Sequence, residues 1–101
     1  MWMSLVYLKS YRTDKGTMIA CCDEDLLGKI FREGKLRISP ESGFYGNSLL
    51  ALGEALVLFD KADVLNLVGK SIIDAAIEKG IVHPEAVIVI AGIPHVQVMR
   101  V

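Results

Sequence analysis

The chain has 101 residues, 52% of them hydrophobic, with a mean hydropathy of +0.44, eleven basic against twelve acidic residues and a net charge of -1. That length suits a single domain over residues 1–101, and a body so small buries only roughly two thirds of its unfolded surface, so part of the apolar excess is expected to meet a partner or a second copy. The charge balance excludes a strong, sequence-blind polyanion binder, and the longest near-apolar run, Leu49 to Phe59, is broken by Glu54 and too short to span a membrane.

Leu5 to Arg12 alternates with period two and is rich in strand-forming residues, Thr13 to Gly16 carries turn chemistry, and Thr17 to Cys22 resumes an apolar run. The three together predict a β-hairpin. Cys21 and Cys22 are the only cysteines. As neighbours on a strand they point to opposite faces, so they cannot pinch one metal and are expected as two reduced thiols. The start, MWMSLVYLKSYR, has no basic flank, long apolar region or small-residue cleavage site, so no signal peptide is expected and the reading is cytoplasmic.

Asp23, Glu24 and Asp25 suit the positive end of a short helical turn through Leu26 and Leu27. They lack the spacing of a calcium loop, and a capped, solvated turn is the favoured reading over a cation site. Gly28 and Gly34 bracket Lys29 to Glu33, after which Leu36 and Ile38 alternate with polar residues in a third strand that Pro40 ends. Glu41 to Asn47 is expected as a loop carrying Phe44 and Tyr45. Asn47 or Ser48 then caps a helix running to about Lys61, with Leu49, Leu52, Leu56 and Phe59 as its buried stripe. That helix is the expected contributor to self-association or partner burial.

Val64 to Leu67 is read as a short strand, in preference to a continuation of the preceding helix. From Lys70 to Lys79 the positions Ile72, Ile73, Ala76 and Ile77 line one helix face, and Gly80 supplies the C-terminal cap. Val87 to Ile90 is a continuous apolar run, expected as a strand covered on both faces and paired in parallel with the short strand to close a βαβ unit. Ala91 to Pro94 turns the chain into a last strand, Val96 to Val101. The expected fold class is α+β, a mixed sheet with an N-terminal hairpin and a C-terminal strand pair, packed by helices near 48–61 and 69–80.

On the last strand His95, Gln97 and Met99 share one face, which puts an imidazole beside a carboxamide. A histidine titrating near neutrality can act as general acid or base, and the glutamine can orient a carbonyl or amide. The competing reading is that both satisfy backbone groups at a tight turn. His83, before Pro84, reads as a solvated loop residue. Two histidines without spaced partners make no metal centre, since a catalytic zinc takes about three protein ligands, and no phosphate loop or nucleophile elbow is present. No metal or cofactor is expected.

Lys29, Arg32, Lys35 and Arg37, with Phe31, Phe44 and Tyr45 near in sequence, have the composition of a single-stranded nucleic-acid surface. A solvated strand edge with the rings in the core explains the same residues.

The segments YLKSYRTDKG, CDEDLLGKIFREGKL, FYG at Phe44 to Gly46, NLVG at Asn66 to Gly69 and AIEKGIVHPEAVIVIAGIPHVQ together resemble an uncharacterised archaeal family catalogued as domain of unknown function 424. The resemblance spans nearly the whole chain, with Val96 standing where the family pattern has alanine between His95 and Gln97. It implies an α+β fold and an archaeal cytoplasm, and it carries no activity, substrate or catalytic residue. Two functional readings follow from the residues. The first is a small cytoplasmic binding or accessory module acting through a protein partner, with an RNA link. The second is a small enzyme centred on His95 and Gln97, assisted by Tyr45 or Lys29.

Overall fold

The computed structural model describes residues 4–100. The expected hairpin forms from β1 (Leu5–Thr13) and β2 (Gly16–Asp23), antiparallel, with Thr13 opposite Gly16. Every residue of β2 from Ile19 to Asp23 is buried, so this strand lies inside the sheet. Cys21 and Cys22 point to opposite faces and enter two separate apolar clusters. Burial, then the Asp23 carboxylate, pushes both thiols up, Cys22 to about 12, which keeps them neutral and unreactive near neutral pH.

After a 3-10 turn at Glu24–Leu26, β3 (Phe31–Glu33) and β4 (Leu36–Ile38) form a separate two-stranded hairpin. The sequence announces β4 and leaves β3 unrecognised, because three residues are too few to show a period. The loop expected at Glu41 to Asn47 contains one short helical turn, α1 (Ser42–Tyr45).

The helix expected from Asn47 to Lys61 is corrected at its start. Leu49–Ala51 is a strand, β5, paired antiparallel with β1 so that Val6 faces Leu50, and the helix α2 spans only Leu52–Phe59. The open edge of β1 needs hydrogen-bond partners, and satisfying it outweighs three residues of helical periodicity. The buried stripe of α2 is therefore Leu52, Ala55 and Phe59, and Leu49 is exposed.

The short strand is present as β6 (Val64–Val68) and leads through Gly69 into α3 (Lys70–Glu78), which buries Ile72, Ile73 and Ala76. Gly80 follows it with positive φ, and the amide of Ile81 donates back to the carbonyl of Ala76, the long closing bond of a Schellman cap. Beyond a second 3-10 turn at Pro84–Ala86 come β7 (Ile88–Ile90) and β8 (Ile93–Met99).

The six-stranded sheet has the order β5-β1-β2-β6-β8-β7, giving the expected mixed sheet and α+β class. Its βαβ pairing is corrected: the parallel partner of β6 is β2, with Ala20 opposite Asn66, while β7 pairs only with β8 and antiparallel. Nor is β7 covered on both faces, since Ile88 and Val89 are 57% and 55% exposed and only Ile90 is buried. A short apolar run has the same composition in the middle of a sheet and at its edge, so periodicity could not separate the two. The last strand starts three residues earlier than expected, placing Pro94 within it, and Val101 lies outside the described residues.

Helices α2 and α3 cover one face of the sheet over Val6, Cys21, Leu65, Leu67 and Val96. The 3-10 turn, the small hairpin and α1 cover part of the other, over Ala20, Cys22, Val68 and Ile90.

Candidate functional site

The second face of the sheet carries the polar residues singled out on β8. His95 lies opposite Val68 on β6 and Ile88 on β7, and Gln97 lies opposite Asn66. Gln97 is exposed and His95 half-buried. Burial lowers the His95 pKa from its ordinary value, so the ring is neutral near neutral pH. Among the described residues no hydrogen bond or ion pair joins His95 or Gln97 to another side chain. The two sit side by side as the alternation requires, without an orienting partner of the kind a general base uses.

Tyr45 reaches the same neighbourhood from α1. It is 6% exposed, and its hydroxyl donates to Asn66 Oδ1 at 2.7 Å. Burial pushes its phenol well above the usual tyrosine range. Phe44 stacks on Tyr11 with ring centroids 5.6 Å apart, and the Tyr11 hydroxyl donates to the Phe44 carbonyl. Both candidate rings thus pack within the second core instead of standing free for a base. Asn66 is the residue the sequence reading passed over. Its only signal was a lone carboxamide inside the apolar run Val64 to Val68.

The four cations Lys29, Arg32, Lys35 and Arg37 are all exposed, on β3, β4 and the residues beside them. Phe31 and Ile38 form a cross-strand pair and pack into the second core, so the alternate pair, Arg32 and Arg37, points outward. Glu33, on the inward face, accepts from the backbone amide of Ala91 at 2.8 Å and ties this hairpin to the turn between β7 and β8. Lys29 lies in the exposed stretch before β3, part of this hairpin segment.

Among the described residues Asp23 is the buried carboxylic acid, 7% exposed. It leaves the acidic turn to which sequence assigned it: Oδ2 accepts from the amide of Ser71 at 2.8 Å and Oδ1 from that of Ile72 at 3.0 Å, capping α3 across the fold. Glu24 and Asp25 remain exposed, and no group of metal-ligating side chains is assembled among the described residues.

A groove of about 370 Å³ runs between α3 and the β7–β8 hairpin, lined by Ile73, Ile77, Val87, Val89 and Pro94, with Lys70 and Asp74 at its rim. Lys70 and Asp74 are ion-paired at 2.8 Å. The neighbouring strand β7 ends the sheet. The two-residue turn after it closes on Ile90 and Ile93, so the ladder bonds fall at Ile90 and Ile88 and the N–H and C=O of Val89 are directed away from β8.

A family model described as "Protein of unknown function (DUF424)" matches residues 11–101. Among curated proteins none matches the chain. The crystal structure of an uncharacterized conserved protein from Methanopyrus kandleri superposes with a TM-score of 0.77 at 21% sequence identity, covering 96% of this chain and 94% of that one. That likeness extends to the fold. No helix among the described residues is long and apolar enough to cross a membrane.

Proposed function

The chain belongs to the DUF424 family, and from that premise we propose that it is a small cytoplasmic binding module that acts through a protein partner, accepting an extended segment of that partner as an added strand beside β7. The observation that supports this is the character of the edge. Ile88 and Val89 are more than half exposed, β7 contains no charge, proline or bulge of the kind that blunts sheet edges, and the free backbone groups of Val89 match those of an extended chain. Main-chain bonds would hold the segment, and alternate side chains would enter the groove against Ile73, Ile77 and Pro94. Ile30 and Leu36, each 54% exposed on the segment that packs near β7, extend the apolar surface at this end of the sheet. The Leu52–Phe59 helix, the contributor expected from sequence, offers mainly Val57 at 70% exposure. The RNA link rests on a different surface, the cationic hairpin.

The test is nuclear magnetic resonance of the labelled protein with short, end-blocked peptides of alternating valine and threonine. Strand addition predicts that the Val89 amide shifts and becomes protected from exchange, and that Val89→Pro, which removes that donor, abolishes the peptide-induced shifts of the neighbouring Ile88 and Ile90 amides while leaving the melting temperature within a few degrees. Peptide shifts confined to the Val57 face, or a Val89 amide that exchanges freely with saturating peptide, would show the reading to be mistaken. Sedimentation across a concentration series identifies the case in which a second copy supplies the strand.

A further inference from the structure

Arg32 and Arg37 stand directly opposite each other on the outward face of the β3–β4 hairpin. The turn between the strands is Gly34 and Lys35, of which only Gly34 has positive φ (61°), the pattern of a type II′ turn. Such a turn closes on a hydrogen-bonded pair, here Glu33 and Leu36, and the next pair along is therefore non-hydrogen-bonded. Side chains approach most closely in pairs of that kind, and like charges placed there repel. The structure has put two guanidinium groups in the least favourable register for like charges, and among the described residues no carboxylate forms an ion pair with either. Glu33, the one acid between Lys29 and Arg37, is on the opposite face and accepts from Ala91.

We propose that this outward face is a phosphate-binding surface for an RNA backbone, with Arg32 and Arg37 clamping one phosphate between them and Lys29 and Lys35 contacting its neighbours. Two guanidinium forks converging on one phosphate convert the mutual repulsion into paired, charge-assisted bonds. The four cations lie along both strands and the turn, all exposed, which suits a chain of phosphates better than one enclosed anion. Phe31, Phe44 and Tyr45 pack in the second core, so none of these three rings stands free to stack on bases and the binding is sequence-blind. The local charge opposes the chain's overall -1, so contacts are confined to this hairpin. This inference is independent of strand addition at β7.

The experiment measures anisotropy of a fluorescent single-stranded RNA of mixed sequence at two salt concentrations. Three phosphates contacted on a single strand, one shared by the two arginines and one for each lysine, predict a log-log salt slope of about -2.1, so that binding weakens roughly twenty-fold between about 50 and 200 mM salt. Arg37→Glu faces Arg32 with an opposite charge, so it is expected to raise the melting temperature while lowering RNA affinity at least tenfold; a variant that simply misfolds would lower both. Lys15→Gln, at the far β1–β2 turn, is the unchanged control. Affinity that Arg37→Glu leaves intact, a slope near zero, or no binding at the lower salt overturns the proposal. So does displacement of the RNA by millimolar inorganic phosphate at matched ionic strength, which would mark a site for a small anion only.

Discussion

Asp23 and Ser71, 48 positions apart, are joined by a hydrogen bond of 2.8 Å from the Ser71 amide to the Asp23 carboxylate. With the matching bond from Ile72 it makes a residue at the end of β2 the N-terminal cap of α3, a helix whose own preceding residue is Gly69, with no side chain to offer. Gly69 has φ +119°, and a side chain there would run into the Asp23 carboxylate, so the cap and the glycine require each other. Asp23→Ala is expected to cost about 1 to 3 kcal/mol, the range for losing a cap and stranding two buried donors. Urea denaturation measures it.

The same carboxylate predicts a pH dependence. Burial raises its pKa above 3.8, the bonds from Ser71 and Ile72 pulling the other way and Asp25 and Asp74 adding to the rise. A raised folded-state pKa means the native state holds this proton more tightly than the unfolded chain. The contribution is fully present below the unfolded value and is lost as pH rises through the folded one. The stability difference between the wild type and Asp23→Asn should therefore shrink as pH is raised from below 3.8 through that range.

His95 gives the opposite sign. Burial lowers its pKa below 6.5, so its contribution is present above that value and is lost as pH falls through the folded-state pKa. His95→Gln should lose less stability than the wild type between about pH 7 and pH 5. Thermal melts across that interval check it, and parallel curves would show the imidazole to be solvated.

Tyr45→Phe removes the donor to Asn66 Oδ1 in a part-buried pair. A loss of about 1 to 2 kcal/mol is expected, measured by denaturant midpoint. A change near zero would mean that water replaces the phenol and that Asn66 is free to serve something else.

Ala91 and Gly92 both have positive φ, 52° and 80°, in the turn joining β7 to β8. Alanine is strained there by about 1 kcal/mol, and Asn-Gly is the preferred pair for such a turn. Ala91→Asn should stabilise the protein by roughly 0.5 to 1 kcal/mol.

Ile73 is 1% exposed beneath α3, whereas Ile77 is only half-buried along the groove. Ile73→Ala should cost about 2 to 5 kcal/mol and Ile77→Ala clearly less, although the helical stripe treats them alike.

Periodicity and composition by themselves determined the N-terminal hairpin, the α3 helix with its stripe and its Gly80 cap, the strand at Val64, the opposed cysteines, the shared face of His95 and Gln97, and the α+β class. Each depends on neighbours in sequence, where alternation and the helical repeat operate directly. Tertiary structure decided the parallel pairing of β2 with β6, the capture of Leu49–Ala51 by the edge of β1, and the exposure of β7. Those outcomes turn on which backbone groups are left to be satisfied once other strands have paired, a quantity no local window contains. The same reason hid the two most informative juxtapositions. Asp23 caps a helix that begins 47 residues later, and Arg32 meets Arg37 only because a two-residue turn sets that register.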